Sequence, residues 1–236
     1  MRRLSVALLP LVMSSPSLFA QTSSKNAGKT VADAAVKKNP AMKEVPDIAG
    51  LPRVLLIGDS ISIGYTLRVR ELLNGKANVH RVPANAAATA YGLEKLDAWL
   101  GTGKWDVIHF NFGLHDAKLP PEGKRHTERD VYERNLRELV KRLGKTNARL
   151  IWANTTPVPN DGVVSPTRRF DDITERNRIA QRVMSENHVT IDDLNSIASP
   201  TLAKIQKPND VHFFPEGSDL LAQAVAHSIA LELAKR

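Results

Sequence analysis

The sequence predicts an α/β fold: a three-layer, doubly wound, flavodoxin-like arrangement in which a parallel five-stranded sheet carries helices on both faces. Three observations point there. After residue 50, short apolar runs recur, segments of helical apolar period alternate with them, and Gly, Pro, Asn and Asp punctuate the junctions.

Residues 1–20 open with Arg2 and Arg3, continue with an apolar stretch over 4–13 and end in small and polar residues, the layout of a secretory signal peptide cleaved after Ala20. The apolar stretch is too short to span a bilayer. Residues 21–50, rich in Ser, Lys, Ala and Asn with Pro40 and Pro46, read as a flexible tether, and 51–236 as one folded domain. Strands are expected at 54–57, 79–82, 107–111, 150–154 and 189–191, and helices at 63–73, 92–100, 131–143, 173–186 and 220–233. In the third helix Leu136, Leu139, Val140 and Leu143 share a face, with Asp130 as amino-terminal cap. The last helix, after Pro215 and Gly217, is expected beside the first strand. The polar loop 119–129 is long enough to border a site.

Composition narrows the function classes. The chain of 236 residues is 42% hydrophobic and 25% charged, as soluble globular proteins are. With no cysteine, disulfides, thiolate metal sites, thiol nucleophiles and lipidation of a leader cysteine are excluded. The net charge of +8 falls to +6 without Arg2 and Arg3. Its excess is dispersed: Arg125, Arg129, Arg134, Arg137, Lys141, Arg142 and Lys145 alternate with Glu128, Asp130, Glu133 and Glu138 as a solvated helix face, and no nucleic-acid motif accompanies them. His80, His109, His126, His188 and His227 lack metal spacing, so no metal is expected. Gly101-Thr-Gly103-Lys104 reads as a turn after a helix, Trp99, Trp105 and Trp152 as core, and Asp161, Arg168 and Arg169 as surface charges. Residues 154–159 either line a pocket or are structural.

The chemistry-bearing feature is Gly58-Asp59-Ser60, where an apolar strand breaks and a helix begins. Gly58 lets the chain turn closely, Asp59 braces the turn through backbone N–H groups, and the helix amino terminus favours negative charge near Ser60. A serine hydroxyl needs a base to become a nucleophile, and His212 is the best candidate.

Four blocks together resemble the SGNH (GDSL-type) hydrolase superfamily over about 180 residues. They are Gly58-Asp59-Ser60-Ile61-Ser62; Asn85-Ala86-Ala87-Ala88-Thr89; Gly113-Leu114-His115-Asp116; and Val211-His212-Phe213-Phe214-Pro215. The resemblance implies a serine esterase working through an acyl-enzyme. Ser60 is then the nucleophile and His212 the base, with Ser60, Ala87 and His115 as oxyanion donors and Gly58, Asp59, Asn85, Gly113 and Asn209 in support.

The chain departs from the family pattern three times. Ala87 stands for a glycine, His115 for an asparagine, and the usual acid position holds Asn209, with Asp210 one residue later. Either Asp210 or a backbone carbonyl orients His212. The implied substrate is a small-molecule or polysaccharide ester, carbohydrate O-acetyl groups foremost. The implied location is secreted or periplasmic, with no cofactor, no nucleic-acid partner and no stable membrane insertion. Acyl transfer to a sugar, and a carbohydrate-binding module that has lost catalysis, are the alternatives.

Overall fold

The computed structural model describes residues 39–119, 126–159 and 167–235; the expected signal peptide and residues 21–38 of the expected tether lie outside them. Strands β1 (Arg53–Ile57), β2 (Asn78–Arg81), β3 (Val107–Phe110), β4 (Arg149–Ala153) and β5 (Thr190–Asp192) form one parallel sheet in the order β2-β1-β3-β4-β5. The predicted fold class and strand set hold.

Helices α1 (Ser60–Leu72), α2 (Thr89–Leu100), α3 (Arg129–Gly144), α4 (Phe170–Glu186), α5 (Leu194–Ala198), α6 (Leu202–Ile205) and α7 (Pro215–Ala234) complete it. Successive strand residues point to opposite faces, and a parallel sheet hides both. Thus Leu55, Ile57, Ile108, Phe110 and Trp152 pack with α2, α3 and α4, whereas Val54, Leu56, Val107, Ile151 and Ala153 pack with α1, α5 and α7. Each fully buried Leu or Ile stabilises this sandwich by roughly 1.5–3 kcal/mol. Trp105 and Trp152 are core residues, and Trp99 packs at the core's edge.

Several local expectations need correction. Asp130 does not cap α3: Glu128 holds the cap position, and Asp130 lies in the first turn, 2.7 Å from Arg134. There an acidic side chain still favours the helix dipole. The final helix α7, expected beside β1, shares a core layer with β1 but lies chiefly on α1 and across β3, β4 and β5. Residues 39–50 are not a free tether. Ala41 and Met42 are buried in a 3-10 turn, Ile48 exchanges hydrogen bonds with the Asn78 amide at 2.8 and 3.0 Å, and Asp47 pairs with His80 at 2.6 Å and Arg53 at 3.0 Å. The short α5 and α6, joined by a 3-10 turn over Ser199–Thr201, carry too little periodicity to be seen in sequence.

The chain leaves β1 outward to β2 and then returns past β1 to β3, so the direction of winding reverses between β1 and β3. Crevices open at the carboxyl ends of strands flanking such a point. The turns after β1 and β3 carry Ser60 and His115.

Candidate active site

Strand β1 ends at Ile57, and the chain enters α1 through Gly58 and Asp59. Asp59 is the helix cap: its carboxylate accepts the Ile61 N–H at 2.9 Å, the bracing expected of it. A Cβ on Gly58 would sit 2.8 Å from both Ser62 Cβ and Oγ, so the turn closes only over a glycine. Ser60 follows at the first helical position, where its N–H has no carbonyl partner within the helix.

His212 reaches Ser60 from 152 positions away. Its segment is folded back by Lys207 N–H donating to His212 O at 2.9 Å and Phe214 N–H donating to Ile205 O at 2.8 Å. His212 Nε2 lies 2.8 Å from Ser60 Oγ, and Nδ1 lies 2.7 Å from Asp210 Oδ1. The same Asp210 oxygen accepts the His212 backbone N–H at 3.2 Å. Partial burial pushes the Asp210 carboxyl up, but its bonds from His212 outweigh that and hold it below the ordinary value. Of the two orienting groups left open by the sequence, the structure presents the carboxylate. Asn209 is exposed, with a left-handed backbone (φ 55°) that turns the chain into Asp210. It supports the loop through that turn.

The second block forms the loop between β2 and α2. Ala87 has φ 52°, a region where a glycine is unstrained and a Cβ is not. Its N–H donates to Asn85 Oδ1 at 3.0 Å. This expected oxyanion donor is therefore already engaged by its expected supporter. Gly113, after β3, has φ 150°, and a Cβ there would run into Thr155 Oγ1. His115 follows, half-buried, with Nδ1 3.0 Å from Lys118 Nζ. Burial pushes its pKa down to about 4, aided by the Lys118 and Arg168 charges against the opposing Asp59. Asp116 accepts both the N–H and hydroxyl of Thr89, tying the third block to the start of α2.

Three site-supporting residues escaped sequence reasoning. Arg81, at the end of β2, is buried and donates to Gly58 O at 2.8 Å, Asp59 O at 3.3 Å and Ala84 O at 3.4 Å, and also to Ser62 Oγ. It thereby ties the Ser60 turn to the loop that carries Ala87. An arginine at the carboxyl end of a sheet strand, the edge at which open α/β sheets build their sites, was the available signal. Burial pushes its pKa down to about 10, still charged at neutral pH. Lys118 was signalled only by its three-residue spacing from His115. Arg168 is not the surface charge expected: it is 5% exposed and donates to Leu114 O at 2.8 Å, holding the His115 segment. Asn154, Thr155 and Thr156 line a small cavity with Asp59, Ser62 and Tyr65 beneath the nucleophile turn.

Comparison with known proteins gives the family and the fold. Residues 56–220 match the sequence model of the GDSL-like lipase/acylhydrolase family. No curated protein sequence matches the chain. Similar solved structures include a lipase/acylhydrolase from Enterococcus faecalis (23% identity, 76% of this chain and 95% of that one, TM-score 0.65). Others are an acetyl xylan esterase from Geobacillus stearothermophilus (17%, 78% and 97%, TM-score 0.64) and a further acetyl xylan esterase (14%, 75% and 99%, TM-score 0.65). At these identities the likeness is one of fold. The family match spans well over half of the sequence, and the chain belongs to the GDSL-like lipase/acylhydrolase family as an ester-hydrolysing enzyme of SGNH hydrolase fold.

Proposed function

We propose that this protein is a secreted serine esterase that removes O-acetyl groups from carbohydrate through an acyl-enzyme. The observation that carries the mechanism is the unbroken hydrogen-bonded line from Ser60 Oγ through the His212 ring to Asp210. Ser60 Oγ attacks the ester carbonyl while His212 Nε2 takes its proton. The imidazolium, steadied by Asp210, returns that proton to the leaving alcohol, and water attacks the acyl-enzyme by the same route in reverse. Negative charge on the tetrahedral oxygen is met by the Ser60 N–H and by the His115 ring, with Ala87 N–H sharing its proton with Asn85.

Hydrolysis fits this site better than acyl transfer. The His212 side chain is 43% exposed, so water has ready access to the acyl-enzyme, whereas transfer requires that water be excluded. The carbohydrate ester rests on the acetyl xylan esterases among the similar folds and on the leader-like residues 1–20, which also support secretion.

The test uses purified protein with 4-nitrophenyl acetate, 4-nitrophenyl esters of long acyl chains and acetylated xylo-oligosaccharides. Acetate release that vanishes in Ser60→Ala, together with weak activity on long chains, is expected. Failure of a fluorophosphonate to label Ser60 would reject the esterase reading in favour of a carbohydrate-binding module. Label without acetate release from the oligosaccharide would reject only the substrate. Retention in the cytoplasmic fraction of the host would reject secretion.

A further inference from the structure

Lys118 has no place in the mechanism above, yet its ammonium sits 3.0 Å from a ring nitrogen of His115. An ammonium has only hydrogens to offer, so His115 Nδ1 must accept. A neutral imidazole carries one ring hydrogen, and with Nδ1 accepting, that hydrogen resides on Nε2. We propose that Lys118 is a positioning residue of the oxyanion site: it locks His115 in the Nε2–H tautomer, so that the ring always presents a donor. The inference rests on the reading of His115 as an oxyanion donor and adds the residue that makes a histidine serviceable where the family uses an amide. An asparagine amide always has N–H to give; an imidazole nitrogen has one only in the right tautomer.

The local fold makes the pairing. The turn after Gly113 brings Lys118 N–H to His115 O at 3.3 Å, which sets the two side chains on the same side, and Lys118 is itself half-buried. His115 is half-buried, and its Nε2 makes no hydrogen bond to any described residue and is not shut off from solvent, so this donor is open to a ligand. The charges facing the ring are Asp59 from the nucleophile turn, Lys118 from its own turn, Arg168 from the segment before α4 and His126 from the loop before α3. Burial and the cations keep the ring neutral against Asp59. Protonation would set two donors, Nδ1–H and the ammonium, against each other.

Two readouts test the proposal. Long-range proton–nitrogen correlation of the uniformly labelled protein at pH 7, with the His115 ring assigned by its absence in His115→Asn, should show the Nε2–H tautomer. In Lys118→Met that ring should become a tautomer mixture with a raised pKa. Turnover of 4-nitrophenyl acetate should fall about tenfold with KM nearly unchanged, a fraction of what losing a whole oxyanion donor costs, and Lys118→Arg should recover most of it. A wild-type ring protonated at Nδ1, or a Lys118→Met enzyme with wild-type turnover, overturns the proposal. Should Lys118→Met fail to fold, the wild-type tautomer and the Lys118→Arg turnover still decide it. Wild-type protein that neither hydrolyses the ester nor takes the fluorophosphonate overturns the esterase reading itself, an outcome distinct from loss of the lock alone.

Discussion

One oxygen, Asp210 Oδ1, accepts both the ring Nδ1–H of His212 at 2.7 Å and its backbone N–H at 3.2 Å. A carboxylate two residues before the base thus closes a local turn and orients the imidazole in one act. The family's usual acid position, one residue earlier, is spent here on a left-handed backbone at Asn209.

Asp210→Asn should leave the fold intact and lower kcat by about 10³–10⁴-fold, the scale seen when the orienting acid of a serine protease is amidated. Asn209→Asp placed in the Asp210→Ala background should not restore turnover, because residue 209 is exposed and its left-handed backbone is fixed by the turn into residue 210. Steady-state kinetics on a nitrophenyl ester decide both; recovery by Asn209→Asp would mean that the loop readily re-forms around the earlier carboxylate.

Ala87→Gly should stabilise the protein. Ala87 sits at φ 52°, where a Cβ costs about 1–2 kcal/mol, while glycine gives back about 0.5–1 kcal/mol as unfolded-chain entropy. A gain of up to about 1 kcal/mol corresponds to a rise in Tm of roughly 2–4 °C for a domain of this size. Differential scanning calorimetry measures it, and a lowered Tm would show that Ala87 packs in a way glycine cannot replace.

Arg81→Met removes the donor shared by Gly58 O, Asp59 O and Ser62 Oγ in a buried place. Gly58 O and Asp59 O keep the backbone N–H groups of Ala86 and Ile63, so what is lost is a set of charge-assisted hydrogen bonds, on the order of 1.5–3 kcal/mol, and denaturant midpoints should fall. Turnover should drop as well, because the Ser60 turn loses its brace. Arg81→Lys, which keeps one donor, should lie between. Stability equal to wild type in Arg81→Met would show that the turn holds itself.

Acid should weaken the fold through His115. The unfolded ring binds a proton near the ordinary value of 6.5, whereas the folded ring resists it down to about 4, because it is buried and faces Lys118 and Arg168 with only Asp59 opposing. Between those values unfolding takes up a proton, so the stability His115 contributes is fully present above 6.5 and is lost as pH falls toward 4. His115→Asn should therefore show a shallower decline of Tm over that window. Parallel curves for the two proteins would place the acid sensitivity elsewhere.

The central strands were legible because a strand buried on both faces is largely apolar; Leu55 and Leu56 serve opposite layers and look alike in sequence. Ser60 was legible because Gly58 and Asp59 encode a local event, a tight turn followed by a capped helix. Arg168 was misread because charge suggests solvent. Only the packed molecule shows its guanidinium buried and held by the carbonyl of Leu114. Arg81 was overlooked for a related reason, since its acceptors lie about twenty residues back in the chain.

By itself the sequence determined the periodicities of the sheet and its helices, the turn that exposes Ser60, and the order of the blocks around it, since all of these depend on neighbours within a few residues. Tertiary structure alone decided that His212 reaches Ser60, that Arg81 braces the nucleophile turn, and that Arg168 is buried against the Leu114 carbonyl. Those outcomes depend on strand order and loop closure, which bring together groups as much as 152 positions apart to within hydrogen-bond reach.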